Sequence, residues 1–542
     1  MILPPTIPIA FLILGALAIL AGHLAHLRRP SLIMSITALL TVALIWTLRS
    51  DSPVSQIIAP WQPVSVFGVP VSFRVDHSAW IIGLGLVLVG VATAFTWQAY
   101  PGQTRPAPRA VALLLIASAL ASVFASNLLT LALAWGLLDT VFTIALLTRS
   151  GSQLGRRAAI AIVLNIASTM CVWIAALVIE NQHASLYWHL LNAQPGSSGW
   201  LVAAAVLRLG LYPLHQWLPI ELDQETDRAV LLFVIPAATG LALLARLAIS
   251  QALPTQSIMP LLAILSALMG AFLARRSPQP RSGLPFIALS YTGLMVISAI
   301  TPTSVGTLTA ATLNWIFVMS ALFISRGFKR TAPWWSIGAI VAAASLIGVP
   351  GTIGFIVREQ TISSLIDSGS WISLLACLIA ETLLVASVIR LIFSPAGDSL
   401  PINFLRKISF GVALLFTIIP SIALAVLPST ITNVPLLPEM LNKLGVVGWI
   451  AWGLPFAGGI ALARLLRKPA SDTILLLFDP EAEPKWQRWL ELDWITSVVS
   501  LPIRFITYVV RGLSSVFEGE GSLLWTMLLI VIALVLYSGV IK

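Results

Sequence analysis

Residues 200–219 read WLVAAAVLRLGLYPLHQWLP, and the fold turns on how this stretch is read. Its first eight positions are apolar, yet Arg208 follows them, and Gly210 and Pro213 come within five residues of that charge. Proline removes a backbone donor and clashes with the turn before it, and glycine weakens a helix interior. The stretch therefore predicts a helix that breaks beside a charge. A second stretch, IVAAASLIGVPGTIGFIVREQ from Ile340 to Gln360, repeats the theme, with Gly348, Pro350, Gly351 and Gly354 interrupting it and Arg358 just beyond. Interrupted helices at corresponding places in two halves of a hydrophobic chain point to a membrane bundle built from internal repeats.

The composition agrees. Of 542 residues 58% are apolar and 10% charged, with a mean hydropathy of +0.95. A soluble chain is about a quarter charged, so this one has too few polar groups to cover a surface facing water. Only two cysteines occur, Cys171 and Cys377, both in apolar runs. That excludes a disulfide scaffold, a cysteine-ligated cluster and a structural zinc site.

Working outward from the two breaks, segments of about 20 mostly apolar residues predict sixteen spans. They lie near 5–27, 31–48, 78–99, 107–126, 127–148, 158–180, 199–219, 228–248, 257–275, 282–300, 304–325, 334–358, 370–393, 405–427, 444–466 and 522–541. The first is expected to be a genuine span, because no basic region precedes it and no AxA-like cleavage site follows. Loops after odd-numbered spans hold 17 Arg and Lys residues, among them Arg28, Arg156, Arg276 and Lys329, against at most five after even-numbered spans. Cytoplasmic loops carry the excess, so both termini are expected on the outer face. The net charge of +10 is then an orientation signal, and nucleic acid is not an expected partner.

Two further pieces stand out. In residues 49–77, VSVFGVPVSFRVD alternates around Gly68–Pro70 and predicts an outer-face β-hairpin. In residues 484–516, Trp486, Leu490, Trp494 and Val498 recur every four positions with charges between them. That pattern predicts an amphipathic helix lying on the inner membrane surface. The fold class expected is an all-α polytopic membrane protein with two inverted five-helix repeats, spans 4–8 and 9–13. Its parts are residues 1–106 (spans 1–3 and the hairpin), 107–250 and 251–395 (the repeats), 396–470 (spans 14–15), 471–521 (the interfacial helix) and 522–542 (the last span).

Ionisable groups at membrane depth are costly and mark pathways or pairs. The candidates are Asp139, Arg208, His215, Arg358 and Glu381. Asp139 has Thr140 and Thr143 as possible local partners, Arg358 could extend from a helix end to the interface, and His215 could be an ordinary helix-end imidazole. A haem or quinone protein would need histidines facing each other across helices, which His23 and His26 on one helix do not supply.

Four motifs carry a family resemblance: NLLTLALAW from Asn127 to Trp135, RLGLYPLHQWLP from Arg208 to Pro219, ALSYTGLM from Ala288 to Met295, and GVPGTIGFIVR from Gly348 to Arg358. In this order and spacing they resemble the antiporter-like membrane subunits of complex I (NADH:quinone oxidoreductase) and their relatives in multisubunit sodium/proton antiporters. The resemblance covers roughly residues 75–395. It implies a non-catalytic subunit without flavin, iron–sulfur cluster or quinone of its own, seated among other membrane subunits and lipid, in a bacterial plasma membrane. In the family, protonation along a polar file at mid-membrane is coupled to redox chemistry elsewhere in the complex.

The chain departs from that pattern where the family keeps exchangeable protons. The family glutamate after the tryptophan is Gly136, with Asp139 three residues on; the seventh-span lysine is Arg208; the eighth-span lysine position is Ala238; the eleventh span offers Asn314; the twelfth-span lysine or glutamate is Arg358. Lysine can give up a proton when desolvated, whereas arginine effectively cannot. Arg208 is expected within ion-pair reach of Asp139, in place of the family's glutamate–lysine pair, the alternative being carbonyls freed by its own helix break. The expectation is a membrane-arm subunit of a proton-translocating complex whose own central route is degenerate. The alternatives are a subunit of a multisubunit sodium/proton antiporter or an ion-coupled carbon-uptake complex, or a purely structural, non-pumping paralogue.

Overall fold

The computed structural model describes residues 3–25, 30–49, 53–61, 66–98, 106–150, 156–191, 195–217, 226–250, 258–277, 282–301, 305–325, 337–393, 404–426 and 445–465. Among them are sixteen α-helices: α1 (Thr6–Leu24), α2 (Pro30–Trp46), α3 (His77–Gln98), α4 (Ala107–Phe124), α5 (Leu128–Ser150), α6 (Arg156–Asn181), α7 (Pro195–Leu209), α8 (Thr226–Ile249), α9 (Met259–Arg276), α10 (Leu284–Ile300), α11 (Val305–Ser325), α12 (Ile337–Leu346), α13 (Ile353–Asp367), α14 (Trp371–Phe393), α15 (Phe404–Val426) and α16 (Gly445–Leu465). Eleven are long and apolar enough to cross a membrane. The first fifteen expected spans each fall on helical residues. The sixteenth span and the amphipathic helix at 484–516 lie outside the described residues.

The twelfth span is divided rather than kinked. Gly348 (φ +72°) and Gly351 (φ +89°) take the left-handed conformation that other residues avoid, and the chain restarts as α13. There the Thr352 hydroxyl accepts a hydrogen bond from the Phe355 backbone N–H at 3.3 Å, a standard N-cap. Likewise α7 stops at Leu209, turns through Gly210 (φ +61°), and continues as a short 3₁₀ turn, Leu214–Trp217.

Helices α3, α8 and α11 pack on one another, and α11 is buried along its apolar length. The first break stands on helices α5–α8, with α6 packed between α5 and α7. The second stands among α11–α14, and α16 lies against α14. Helices α9 and α10 approach closely. A Cβ added at Gly270 would come within 2.4 Å of the Ser290 backbone nitrogen, and one at Gly293 within 2.6 Å of the Ala263 carbonyl oxygen. Small residues allow such contact where no hydrophobic effect pulls helices together. Outer helices turn large apolar side chains outward: Ile372 is 85% exposed and Leu375 60%. This is an integral membrane protein.

The hairpin differs from the sequence expectation. Strand β1 (Val54–Ala59) pairs antiparallel with β2 (Val71–Val75), Val54 opposite Val75, and the register shifts between Ile57 and Ala59. The alternation before Gly68 is therefore not the partner strand. Phe67 is buried, its ring 6.0 Å from Trp61 and 5.8 Å from Trp173, so packing against α6 anchors this connection and β2 finds its partner further upstream.

Candidate functional site

The first half gathers its polar groups at the end of α7. Arg208 occupies the last helical turn, where a cation is favoured by the helix dipole. At the end of α7 the Val206 carbonyl accepts from the backbone N–H groups of Gly210 (3.1 Å) and Leu211 (3.4 Å). Arg208 turns instead to neighbouring helices. Its Nη2 donates to Asp139 Oδ1 at 2.9 Å and Oδ2 at 3.1 Å, and to Thr169 Oγ1 at 2.9 Å. Its Nε donates to Ser168 Oγ at 3.4 Å, and the guanidinium lies 3.9 Å from the centre of the Trp135 ring. The Thr169 hydroxyl donates in turn to Asp139 Oδ2 at 2.5 Å. The arginine side chain is 0% exposed and that of Asp139 7%. Thr140 and Thr143 do not hold this carboxylate: their hydroxyls donate to the backbone oxygens of Gly136 and Asp139, each at 2.8 Å.

The second half is built on the divided span. Arg358, in the second turn of α13, donates from Nε (2.9 Å) and Nη2 (2.5 Å) to Glu381 Oε2 on α14. Its Nη1 donates to the Ile347 carbonyl at 3.2 Å, a group freed by the break. Two rings of α16 complete the enclosure, Phe456 at 5.4 Å and Trp452 at 5.9 Å from the guanidinium. Trp452 Nε1 also donates to the Gly348 carbonyl at 2.8 Å. Arg358 is thus paired rather than extended to the interface. Beside it, Asn314 donates from Nδ2 to the Tyr291 hydroxyl and accepts at Oδ1 from Ser345 Oγ at 2.7 Å.

The five candidates therefore divide. Asp139 meets Arg208, and Arg358 meets Glu381. His215 lies elsewhere, in the 3₁₀ turn packed against α6, stacked on Tyr212 at 5.0 Å and tilted against Phe286. Gly136 leaves open space, since a Cβ there would meet no atom within 4 Å, and Ala238 is buried. Among the described residues no three His, Cys, Asp or Glu side chains gather to hold a metal ion. Sequence reading missed Trp135, Ser168, Thr169, Tyr291, Ser345, Trp452 and Phe456. The signal for two of them was present: Asn165, Ser168 and Thr169 form a polar stripe at helical spacing on an otherwise apolar α6.

Comparison with known proteins gives a family match. Residues 125–384 match the family described as NADH:quinone oxidoreductase/Mrp antiporter, transmembrane. This region is similar to that family. Both pairs lie within it. Relatives include NADH-quinone oxidoreductase subunit N of Ruthia magnifica subsp. Calyptogena magnifica, 23% identical over 194 residues, which are 31% of this chain and 40% of that one. The same subunit of Thioalkalivibrio sulfidiphilus is 20% identical over 267 residues, 43% of this chain and 55% of that one. The chain thus spans about half the length of the curated relatives it matches. Its fold is similar to a chain in the structure of the Mrp complex from Dietzia sp. DQ12-45-1b, with a TM-score of 0.75 at 18% identity, covering 99% of this chain and 63% of that one. It is also similar to one in the membrane-bound sulfane sulfur reductase, an archaeal respiratory membrane complex, with a TM-score of 0.67 at 16% identity, covering 98% and 99%.

Proposed function

We propose that this chain is an antiporter-like membrane-arm subunit of a redox-driven complex of the complex I type, and that two arginine–carboxylate pairs close its own central route to protons. The carrying observation is the buried Arg208–Asp139 pair, its guanidinium stacked on Trp135. A lysine at such a site could lose its proton to a neighbour, whereas a guanidinium stays charged. It pairs with Asp139 and repels an entering cation. The second pair places another fixed charge against Glu381. In this reading the two inverted five-helix repeats survive as scaffold, and the subunit extends the arm among other membrane subunits in a bacterial plasma membrane. The fold likeness to a chain of an Mrp complex favours one second reading, a subunit of a multisubunit sodium/proton antiporter. Neighbouring genes for quinone- and cluster-binding subunits would support the first assembly and genes for small antiporter subunits the second.

The test is proton translocation per turnover in liposomes, comparing the intact complex with Asp139→Asn and Arg208→Lys variants that still assemble. Asp139→Asn should leave the stoichiometry unchanged, and Arg208→Lys should introduce a proton leak. Fewer pumped protons in Asp139→Asn at unchanged assembly would overturn the closed route. The orientation is checked separately. Cysteines introduced at Gly151 and Ser277 should resist an impermeant thiol reagent added outside, and one at Ser65 should react.

A further inference from the structure

Three buried polar atoms around the first pair have no hydrogen-bond partner among the described residues: Arg208 Nη1, Trp135 Nε1 and Asn165 Oδ1. Leaving such atoms unmet in an apolar interior costs about 1–3 kcal/mol each, and in proteins a buried group of this kind is met by an ordered water when no side chain reaches it. The three belong to one neighbourhood. Arg208 lies face-on to the Trp135 ring at 3.9 Å, and its Nη2 reaches the Asn165 carbonyl at 3.5 Å. Asn165 Nδ2 is already engaged with the Ala161 carbonyl at 2.8 Å, which leaves its Oδ1 as an acceptor. All three residues are 2% exposed or less.

We infer that this pocket holds a bound water that accepts from Arg208 Nη1 and Trp135 Nε1 and donates to Asn165 Oδ1. The donor–acceptor balance selects the ligand. A halide could satisfy the two donors, but it has no proton for Asn165, and it would add a second negative charge beside Asp139 in a low-dielectric site. Water serves both kinds of partner. Such a water joins Asn165 to Arg208, which already reaches Thr169 and Asp139, so these polar groups form one connected network. The inference rests on the geometry of the pair described above, and hydration can be read without turnover, so its failure and that of the closed route are separable.

Radiolytic hydroxyl-radical footprinting of the full chain in its native assembly, reconstituted in lipid, tests it, because a bound water generates radicals beside buried side chains. Two tryptophans, each 0% exposed, make the comparison: Trp135, and Trp315, whose Nε1 donates to Thr292 Oγ1 at 3.0 Å. Trp135 is expected to be oxidised about tenfold faster than Trp315, as a buried side chain touching ordered water should be. Asn165→Leu, which removes the acceptor, should bring Trp135 down to the Trp315 rate while the Arg208–Asp139 pair stays in place. Equal rates for the two tryptophans in the unaltered chain would overturn the inference, even if the variant fails to assemble. Trp135 labelling that rises when chloride is replaced by gluconate would overturn it too, by giving the pocket to a halide.

Discussion

The two pairs set the same charges in different surroundings. Arg208 comes before its helix break and is held by side chains: a carboxylate, two hydroxyls of α6 and an indole face. Arg358 comes after its break and is held partly by the break itself, through the Ile347 carbonyl, and is covered by rings from α16. The side chains of the first pair are 0% and 7% exposed, those of the second 8% and 14%. Among the described residues Arg208 takes no carbonyl of its own helix and so depends on neighbouring helices. A break that frees a carbonyl can supply part of the solvation from its own backbone. The first arrangement depends on side-chain chemistry, the second on backbone shape.

The sharpest way to break the comparison is Arg208→Ala. It strands a buried carboxylate, and removing one partner of such a pair costs about 3–5 kcal/mol. Thermal unfolding of the solubilised complex should show this as lost assembly. Adding Asp139→Ala should recover part of the loss, since the stranded charge then goes too.

Glycine substitutions should separate the halves next. A Cβ at Gly354 would lie 1.6 Å from the Ser345 backbone oxygen, whereas one at Gly136 meets nothing. Gly354→Ala should therefore cost on the order of 3 kcal/mol, the upper range for overpacking. Gly136→Ala should stay within about 0.5 kcal/mol. Yields and melting temperatures measured side by side check both, and a neutral Gly354→Ala would show that the second break is not closely packed.

The smallest expected effect belongs to Trp452→Phe. It keeps an aromatic ring near Arg358 and loses the hydrogen bond to the Gly348 carbonyl, about 1 kcal/mol. The melting temperature of the solubilised complex should fall slightly, by less than with Gly354→Ala.

Much of this architecture was legible along the chain. The spans follow from the length of apolar runs, because a backbone in lipid must satisfy its own hydrogen bonds and helices do so locally. Gly210, Pro213, Gly348 and Gly351 announced the breaks for the same local reason. That Arg208 and Arg358 needed partners was also readable, from the cost of an unpaired charge at depth.

The partner of Arg208 was readable too, since Asp139 stands one turn beyond the family's glutamate position; the partner of Arg358 was decided by tertiary structure. Asp139 stands 69 residues from Arg208 and Glu381 stands 23 from Arg358. Nothing in the periodicity of α14 distinguishes Glu381 as a partner for α13 rather than for any other helix. The rings of α16 and the strand that pairs with β2 were equally hidden. Each depends on how elements distant in sequence come to lie side by side, and an apolar surface in lipid encodes that only weakly. Helix formation is settled within a few residues by hydrogen bonding, whereas the choice of neighbour is settled by the shape and polar matching of whole helices once they have been brought together.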